Sequence, residues 1–177
     1  AVKNTCKDLE KEGYEVTSLP VDSNGLVSID DLKAAIKRET ILITIMYANN
    51  EIGTIQPIEE IAKIANENKV VFHTDAVQAA GKLKLTPKET GIDLLTISGH
   101  KFYGPKGIGV LYIKQGTRLG KIITGGGQER KRRPGTSDVP AIVGMATALE
   151  MAAEHLEEES AREAELRDYF EKELLNR

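Results

Sequence analysis

The chain has little cysteine, little histidine and no long apolar run. Its 177 residues include one cysteine, Cys6, and three histidines. A single cysteine excludes an internal disulfide framework and is typical of a reducing compartment. No apolar run approaches the roughly 20 residues that span a bilayer, and no charged segment followed by an apolar one marks a leader. We therefore expect a cytoplasmic protein that does not bind membranes.

The chain also has little excess charge of either sign. The formal net charge is -3, with 29% charged and 40% apolar residues, which is ordinary for a globular domain with one core. The basic cluster at 130–133 stands in an acidic chain, so a subunit-interface or phosphate-facing loop is favoured over a nucleic-acid site. We expect no nucleic-acid partner.

What is present is an alternation of strand and helix patterns. Apolar, β-rich runs predict strands at 41–47, 69–74, 93–98 and 108–113, and an alternating run predicts a short strand at 14–19. Helical spacing of apolar residues predicts helices over 1–12, around 28–36, after Pro57, over 140–153 and over 154–177. This order predicts an α/β fold, a mostly parallel sheet with flanking helices. The short Gly-rich loop between the last two strands suggests that this pair is antiparallel. Both ends of the chain fall within helical patterns, so we expect a fragment of a longer protein.

Three of the predicted strands end in polar residues. These ends are the segments Asn49–Gly53, His73–Gln78 and Ser98–Lys101. Ligands of open α/β sheets bind beyond the carboxyl ends of the strands. We therefore expect the three segments to converge on one crevice.

A lysine and an aspartate at these strand ends suit one cofactor. Lys101 follows a buried run, and a primary amine at the end of such a strand is suited to Schiff-base chemistry. Asp75 ends an apolar strand and needs a partner, for which a protonated pyridine nitrogen is suitable. Pyridoxal phosphate requires a lysine, an acid for its ring nitrogen and donors for its phosphate. Ser98 and His100 suit the phosphate, and Gln78 suits the ring hydroxyl.

Each of these residues has a simpler interpretation when it stands alone. Lys101 alone is a surface lysine, and Asp75 alone caps the segment that follows it. His73 and Asp75 share a strand face, as a metal pair would, but with so few histidines and no third ligand we expect no metal and give His73 a packing role. Residues 104–109 resemble a phosphate loop but precede a strand, so a tight turn is favoured. Only the whole constellation favours a cofactor site.

Four motifs follow one another along the chain. They are Asn-Asn-Glu-Ile-Gly at 49–53, His-x-Asp-Ala-x-Gln at 73–78, Ser-Gly-His-Lys-x-Tyr-Gly-Pro-Lys-Gly-x-Gly at 98–109, and the segment from Gly-Gly-Gly-Gln-Glu to Arg-Pro-Gly-Thr at 125–136. In this order they resemble the cysteine desulfurase family of class V, fold-type-I enzymes, which depend on pyridoxal phosphate. The resemblance covers essentially the whole chain and implies part of the fold-type-I large domain.

The resemblance also implies residue roles. Lys101 matches the lysine that binds the cofactor and acts as the catalytic base, Asn50 matches an asparagine near the ring hydroxyl and substrate carboxylate, and Thr136 matches a threonine that reaches the phosphate of the neighbouring subunit in a homodimer. The implied cofactor-binding residues are Asn50, Asp75, Gln78, Ser98, His100, Lys101 and Thr136. The implied reaction removes sulfur from L-cysteine, giving L-alanine and an enzyme persulfide. The persulfide supplies iron–sulfur cluster or thiocofactor assembly through a sulfur-acceptor or scaffold protein.

The chain departs from the family pattern in what it lacks. The family's catalytic cysteine, its upstream Gly/Thr phosphate motif, its ring-stacking histidine and its C-terminal arginine have no match, and Cys6 matches none of them. We therefore expect a central fragment. It would comprise an N-terminally truncated cofactor-binding large domain over 1–150, then a linking helix and the start of the small C-terminal domain over 151–177. We predict that this fragment alone is inactive.

Other functions fit parts of the same pattern. Selenocysteine lyases and other class V aminotransferases share much of this core. A cofactor-free scaffold domain of the same fold is the non-enzymatic alternative, and a different nucleotide- or phosphate-binding α/β domain is a third. Covalent attachment of the cofactor to Lys101 separates the first group from the other two.

Overall fold

A four-stranded sheet forms the centre of the computed structural model, which describes residues 2–176. The strands, in their order across the sheet, are β1 (Leu42–Met46), β2 (Val71–Asp75), β3 (Leu94–Ser98) and β4 (Gly109–Ile113). β1, β2 and β3 are parallel, and β4 is antiparallel to β3. The predicted α/β fold, its four main strands and its antiparallel pair are confirmed.

Helical segments connect and flank the strands. Over residues 2–176 they are α1 (Val2–Lys11), α2 (Ile29–Ala35), α3 (Ile58–Glu67), α4 (Pro87–Thr90), a 3₁₀ turn (Gly99–Phe102), the single turn α5 (Gln128–Lys131), α6 (Val139–Glu154) and α7 (Leu156–Leu175). Ser28 caps α2, since its hydroxyl accepts the Asp31 N–H at 3.2 Å. No helix in this part of the chain is long and apolar enough to cross a membrane.

The predicted strand at 14–19 is wrong. The segment is irregular, and no strand among residues 2–176 pairs with it. Its apolar alternation has another cause, because Leu19 packs against the core while Tyr14 remains exposed. An alternation of apolar and polar residues therefore did not distinguish a paired strand from an irregular segment with one residue packed on the core.

One face of the sheet, here called the covered face, lies against helices. It carries Ile43, Phe72, Thr74, Leu95 and Ile97, which share a side because register partners and alternate residues point the same way. Phe72 and Thr74 are both fully buried. The apolar members join one core with the buried side of α3 and with Met145 of α6.

The opposite face, here called the open face, is half-buried and more polar. It carries Thr44, Met46, His73, Asp75 and Thr96. The consecutive residues of β2 therefore alternate between a dry core and a partly accessible surface. This alternation places the strand-end aspartate on the open face.

Candidate functional site

The carboxyl ends of the three parallel strands lie at one edge of the sheet. Met46, Asp75 and Thr96 are register partners across β1, β2 and β3. The loop that begins at Asn49 follows β1, Asp75 ends β2, and Ser98 ends β3. The three polar segments therefore lie at the same edge, as the sequence predicts.

Asp75 has one oxygen engaged and one available. Its Oδ1 accepts the Val77 N–H at 3.0 Å, and its main-chain carbonyl accepts the Tyr47 N–H at 2.8 Å. Over residues 2–176, no side chain or N–H is bonded to Oδ2. The bond to Val77 opens a tight turn instead of a helix, and Ala76 at its start is fully buried. The carboxylate is thus held by its own backbone and keeps an acceptor for a ligand.

Lys101 is positioned by a compact turn after β3. The turn Gly99–Phe102 ends at Tyr103, whose φ is 65°, and the Gly99 N–H donates to the Ile108 carbonyl at 3.0 Å. A Cβ at Gly99 would lie 2.9 Å from Ile108 Cγ2 and 3.0 Å from the Pro105 carbonyl oxygen, so these close approaches favour glycine there.

Burial of a neighbouring aromatic residue fixes the same turn. Phe102 is buried in the core cluster with Met145 of α6, while Lys101 is half-buried. Within residues 2–176, no carboxylate forms an ion pair with Lys101. The amine therefore lies on an anchored turn without a competing acidic partner.

Ser98 and His100 lie against each other on this turn. The Ser98 Oγ and the His100 Nδ1 are 3.0 Å apart, with Ser98 half-buried and His100 exposed. A hydroxyl and a neutral imidazole that share one hydrogen bond leave a further O–H or N–H free to donate to an anion. The pair thus has the chemistry expected of phosphate ligands.

The remaining predicted residues are placed differently. Gln78 is half-buried in the turn that follows Asp75. The Asn50 side chain is exposed, and its Nδ2 donates to Glu51 Oε1 at 2.7 Å instead of to the strand ends. Thr136 is exposed between α5 and α6, and within residues 2–176 no hydrogen bond joins it to the strand ends. The structure therefore brings Asp75, Gln78, Ser98, His100 and Lys101 to one edge but does not bond Asn50 or Thr136 to them.

Asn49, next to Asn50, shapes the loop. Its Oδ1 accepts the N–H groups of Glu51 at 2.8 Å and Ile52 at 3.1 Å. Its own N–H donates to the Thr54 carbonyl at 2.9 Å. The two neighbouring asparagines thus differ, because Asn49 closes the turn and Asn50 is left at its surface.

Sequence reasoning missed a bonding role for His73. Its Nδ1 lies 2.8 Å from Thr44 Oγ1 on β1, and its Nε2 lies 2.9 Å from Thr96 Oγ1 on β3. Burial lowers the pKa of His73 below 6.5, against the opposing charge of Asp75. The available signal was one polar residue on each of three neighbouring strands, but it becomes informative only when the strand register is known.

Comparison with known proteins gives one consistent result. The chain matches the family described as Aminotransferase class-V over residues 1–177. It is 54% identical over 177 residues to the cysteine desulfurase IscS of Dictyoglomus turgidum, covering 100% of this chain and 45% of that relative.

Solved structures agree with this match. A NifS-like protein superposes with a TM-score of 0.95 at 43% identity, covering 99% of this chain and 48% of that one. The structure of SspA in complex with cysteine superposes with a TM-score of 0.82 at 48% identity, covering 84% of this chain and 44% of that one. The chain thus spans about half the length of the relatives that it matches.

Proposed function

We propose, from the premise that this chain belongs to the Aminotransferase class-V family, that the protein carrying it is a pyridoxal-phosphate-dependent cysteine desulfurase. It would convert L-cysteine to L-alanine and leave the sulfur as a persulfide for iron–sulfur cluster or thiocofactor assembly. The observation that carries the proposal is the convergence of Asp75, Ser98 and Lys101 at one edge of a parallel sheet. The structure of a relative, SspA, in complex with cysteine supports the choice of substrate.

The side chains at this edge fit the cofactor. Asp75 Oδ2, which has no bonded partner within residues 2–176, is an acceptor for a protonated pyridine nitrogen. The Ser98 hydroxyl and the His100 imidazole would hold the phosphate, and Gln78 would bond the ring hydroxyl. When bound, pyridoxal phosphate supplies an electron sink for the bond-breaking step at the amino acid.

Lys101 has two tasks in the proposed reaction. Its Nζ would attach the cofactor, and it would then move the proton of the substrate Cα. The buried Phe102 fixes the turn that carries it, so the amine stays near the Asp75 edge. The absence of an ion-pair partner in the described part of the chain leaves Nζ available for both tasks.

The sulfur acceptor is proposed to lie outside these 177 residues. The relatives are about twice as long as the chain, which leaves room for a cysteine-bearing loop. Cys6 lies on α1, which precedes all four strands in the chain. The 177-residue chain alone is therefore expected to release no alanine from cysteine at enzymatic rates.

A homodimer and a domain boundary belong to the same proposal. The segment before α5 exposes apolar residues, with Ile122 98% exposed, which supports an interface near Thr136. The proposed division is a large domain over 1–150, then a linking helix and the start of the small C-terminal domain over 151–177; the helix break nearest to this boundary lies at His155, between α6 and α7. Thr136 would then contact the phosphate bound by the partner subunit.

Covalent trapping of the cofactor tests the proposal. The protein that carries this chain, loaded with pyridoxal phosphate, should absorb visible light, and borohydride should fix the cofactor's mass on the peptide that contains Lys101. Lys101→Ala should abolish both signals and the formation of alanine. A colourless protein in which Lys101→Ala changes nothing would show that the proposed function is wrong.

A further inference from the structure

Three strands of the sheet are joined through one imidazole ring. The two nitrogens of His73 on β2 contact Thr44 of β1 and Thr96 of β3 at 2.8 and 2.9 Å. Between residues 2 and 176, these are the only side-chain hydrogen bonds that run from strand to strand. The ring thus ties the three parallel strands whose ends form the site.

The bridge lies beside Asp75 on the same face. His73 and Asp75 are alternate residues of β2, so their side chains point to the open face together. Thr96 is the register partner of Asp75, and it is also the hydroxyl that His73 Nε2 contacts. His73 therefore ties β2 to both neighbouring strands at a point two residues before Asp75.

The ring is fully used and does not compete for the carboxylate. A neutral imidazole donates from one nitrogen and accepts at the other, and a hydroxyl can serve either role. Burial lowers the pKa of His73, which favours that neutral form at neutral pH. A neutral ring already bonded at both nitrogens leaves Asp75 Oδ2 for another cation.

These contacts assign a task to a residue that the proposed reaction does not otherwise use. Resting on the proposed function, we infer that His73, with Thr44 and Thr96, is a positioning residue that aligns the Asp75 carboxylate with the pyridine nitrogen of the cofactor. It acts through Asp75 and touches neither substrate nor cofactor. Its loss should weaken the interaction with that nitrogen specifically.

A cofactor analogue separates positioning from general support of the sheet. Binding of pyridoxal phosphate and of its analogue with carbon in place of the pyridine nitrogen is measured for the protein that carries this chain and for His73→Phe. We expect His73→Phe to weaken the binding of pyridoxal phosphate about tenfold, close to the loss of one charge-assisted hydrogen bond. Binding of the analogue should weaken by less than about twofold, because the analogue offers Asp75 no cation.

Matched variants complete the test. Thr44→Val and Thr96→Val keep side-chain shape and should each produce a smaller change of the same kind. Thr74→Val is the control, because Thr74 lies between His73 and Asp75 but faces the core and has no bonded partner within residues 2–176. It should leave the ratio of the two affinities unchanged.

Three results would overturn the inference. If His73→Phe weakens both ligands equally, His73 only supports the sheet. If the substitution weakens the binding of neither ligand, and borohydride still fixes the cofactor on Lys101, then His73 has no positioning role and the proposed function stands. Failure of the unsubstituted protein to bind pyridoxal phosphate at all would reject both proposals together.

Discussion

The two faces of β2 differ in whether their polar side chains have hydrogen-bond partners. On the covered face, Thr74 is fully buried and its hydroxyl has no hydrogen-bond partner among residues 2–176. On the open face, both ring nitrogens of His73 are hydrogen-bonded to threonine hydroxyls, and the Asp75 carboxylate accepts a backbone N–H. The covered face thus stabilises the fold by apolar burial, and the open face holds hydrogen-bonded polar groups beside the proposed cofactor site. Substitutions on the two faces should therefore separate stability from cofactor binding.

Truncating Phe72 should produce the largest effect on stability. Its side chain is fully buried in the cluster with α3. Phe72→Ala is expected to lower the free energy of unfolding by about 3–5 kcal/mol, because a buried aromatic ring leaves a cavity. Urea unfolding measures the loss. Val71→Ala, next to it on the half-buried face, is the control and should cost about 1 kcal/mol. Equal losses would mean that the two faces are equally buried.

Neutralising Asp75 should lower activity strongly while changing stability little. Asp75→Asn keeps the acceptor for the Val77 N–H, so the free energy of unfolding should change little. The rate of alanine formation by the protein that carries this chain should fall about 100-fold, since removing one partner of a buried charge pair costs about 3 kcal/mol. Measuring both quantities on one preparation is decisive. A stable variant with full activity would remove Asp75 from the proposed site.

Replacing the orphaned hydroxyl of Thr74 should stabilise the protein. Valine has the same shape without the buried polar atom that lacks a partner, so Thr74→Val should raise the free energy of unfolding by about 1 kcal/mol. The same replacement at Thr96, whose hydroxyl contacts His73, should lower it by about 1 kcal/mol. Opposite signs in urea unfolding would sharpen the contrast between the faces. A loss at both positions would show that Thr74 has a bonding partner in solution.

Much of this contrast could be predicted from local pattern. Apolar runs located all four paired strands, and the strand order placed Asp75, Ser98 and Lys101 at one edge. These features follow from periodicity and from the rule that parallel strands end together. The segment at 14–19 shows the limit, because its alternation was real but had no partner strand.

The details of the site depended on distant contacts. His73 contacts Thr44 and Thr96, which are 29 and 23 residues away, and only the register of three strands brings them together. The outward turn of Asn50 depends on the loop that Asn49 closes and on Glu51 beside it. Neither arrangement has a local periodic signal, so the sequence indicated the residue types at the edge but not their bonding.

Protonation of His73 should give the smallest effect. Burial lowers its pKa in the folded protein below 6.5, so between the two pKa values the unfolded chain binds a proton that the folded one does not. The protein should therefore lose stability relative to His73→Phe as the pH falls through 6.5, the ordinary pKa of histidine. Urea unfolding of both proteins across this range isolates the term, because their other titrating groups are the same. A difference that grows in favour of the histidine at low pH would mean that attraction to Asp75 outweighs burial. In that case the ring would be a charged partner of the carboxylate, and it would compete with the cofactor instead of positioning Asp75 for it.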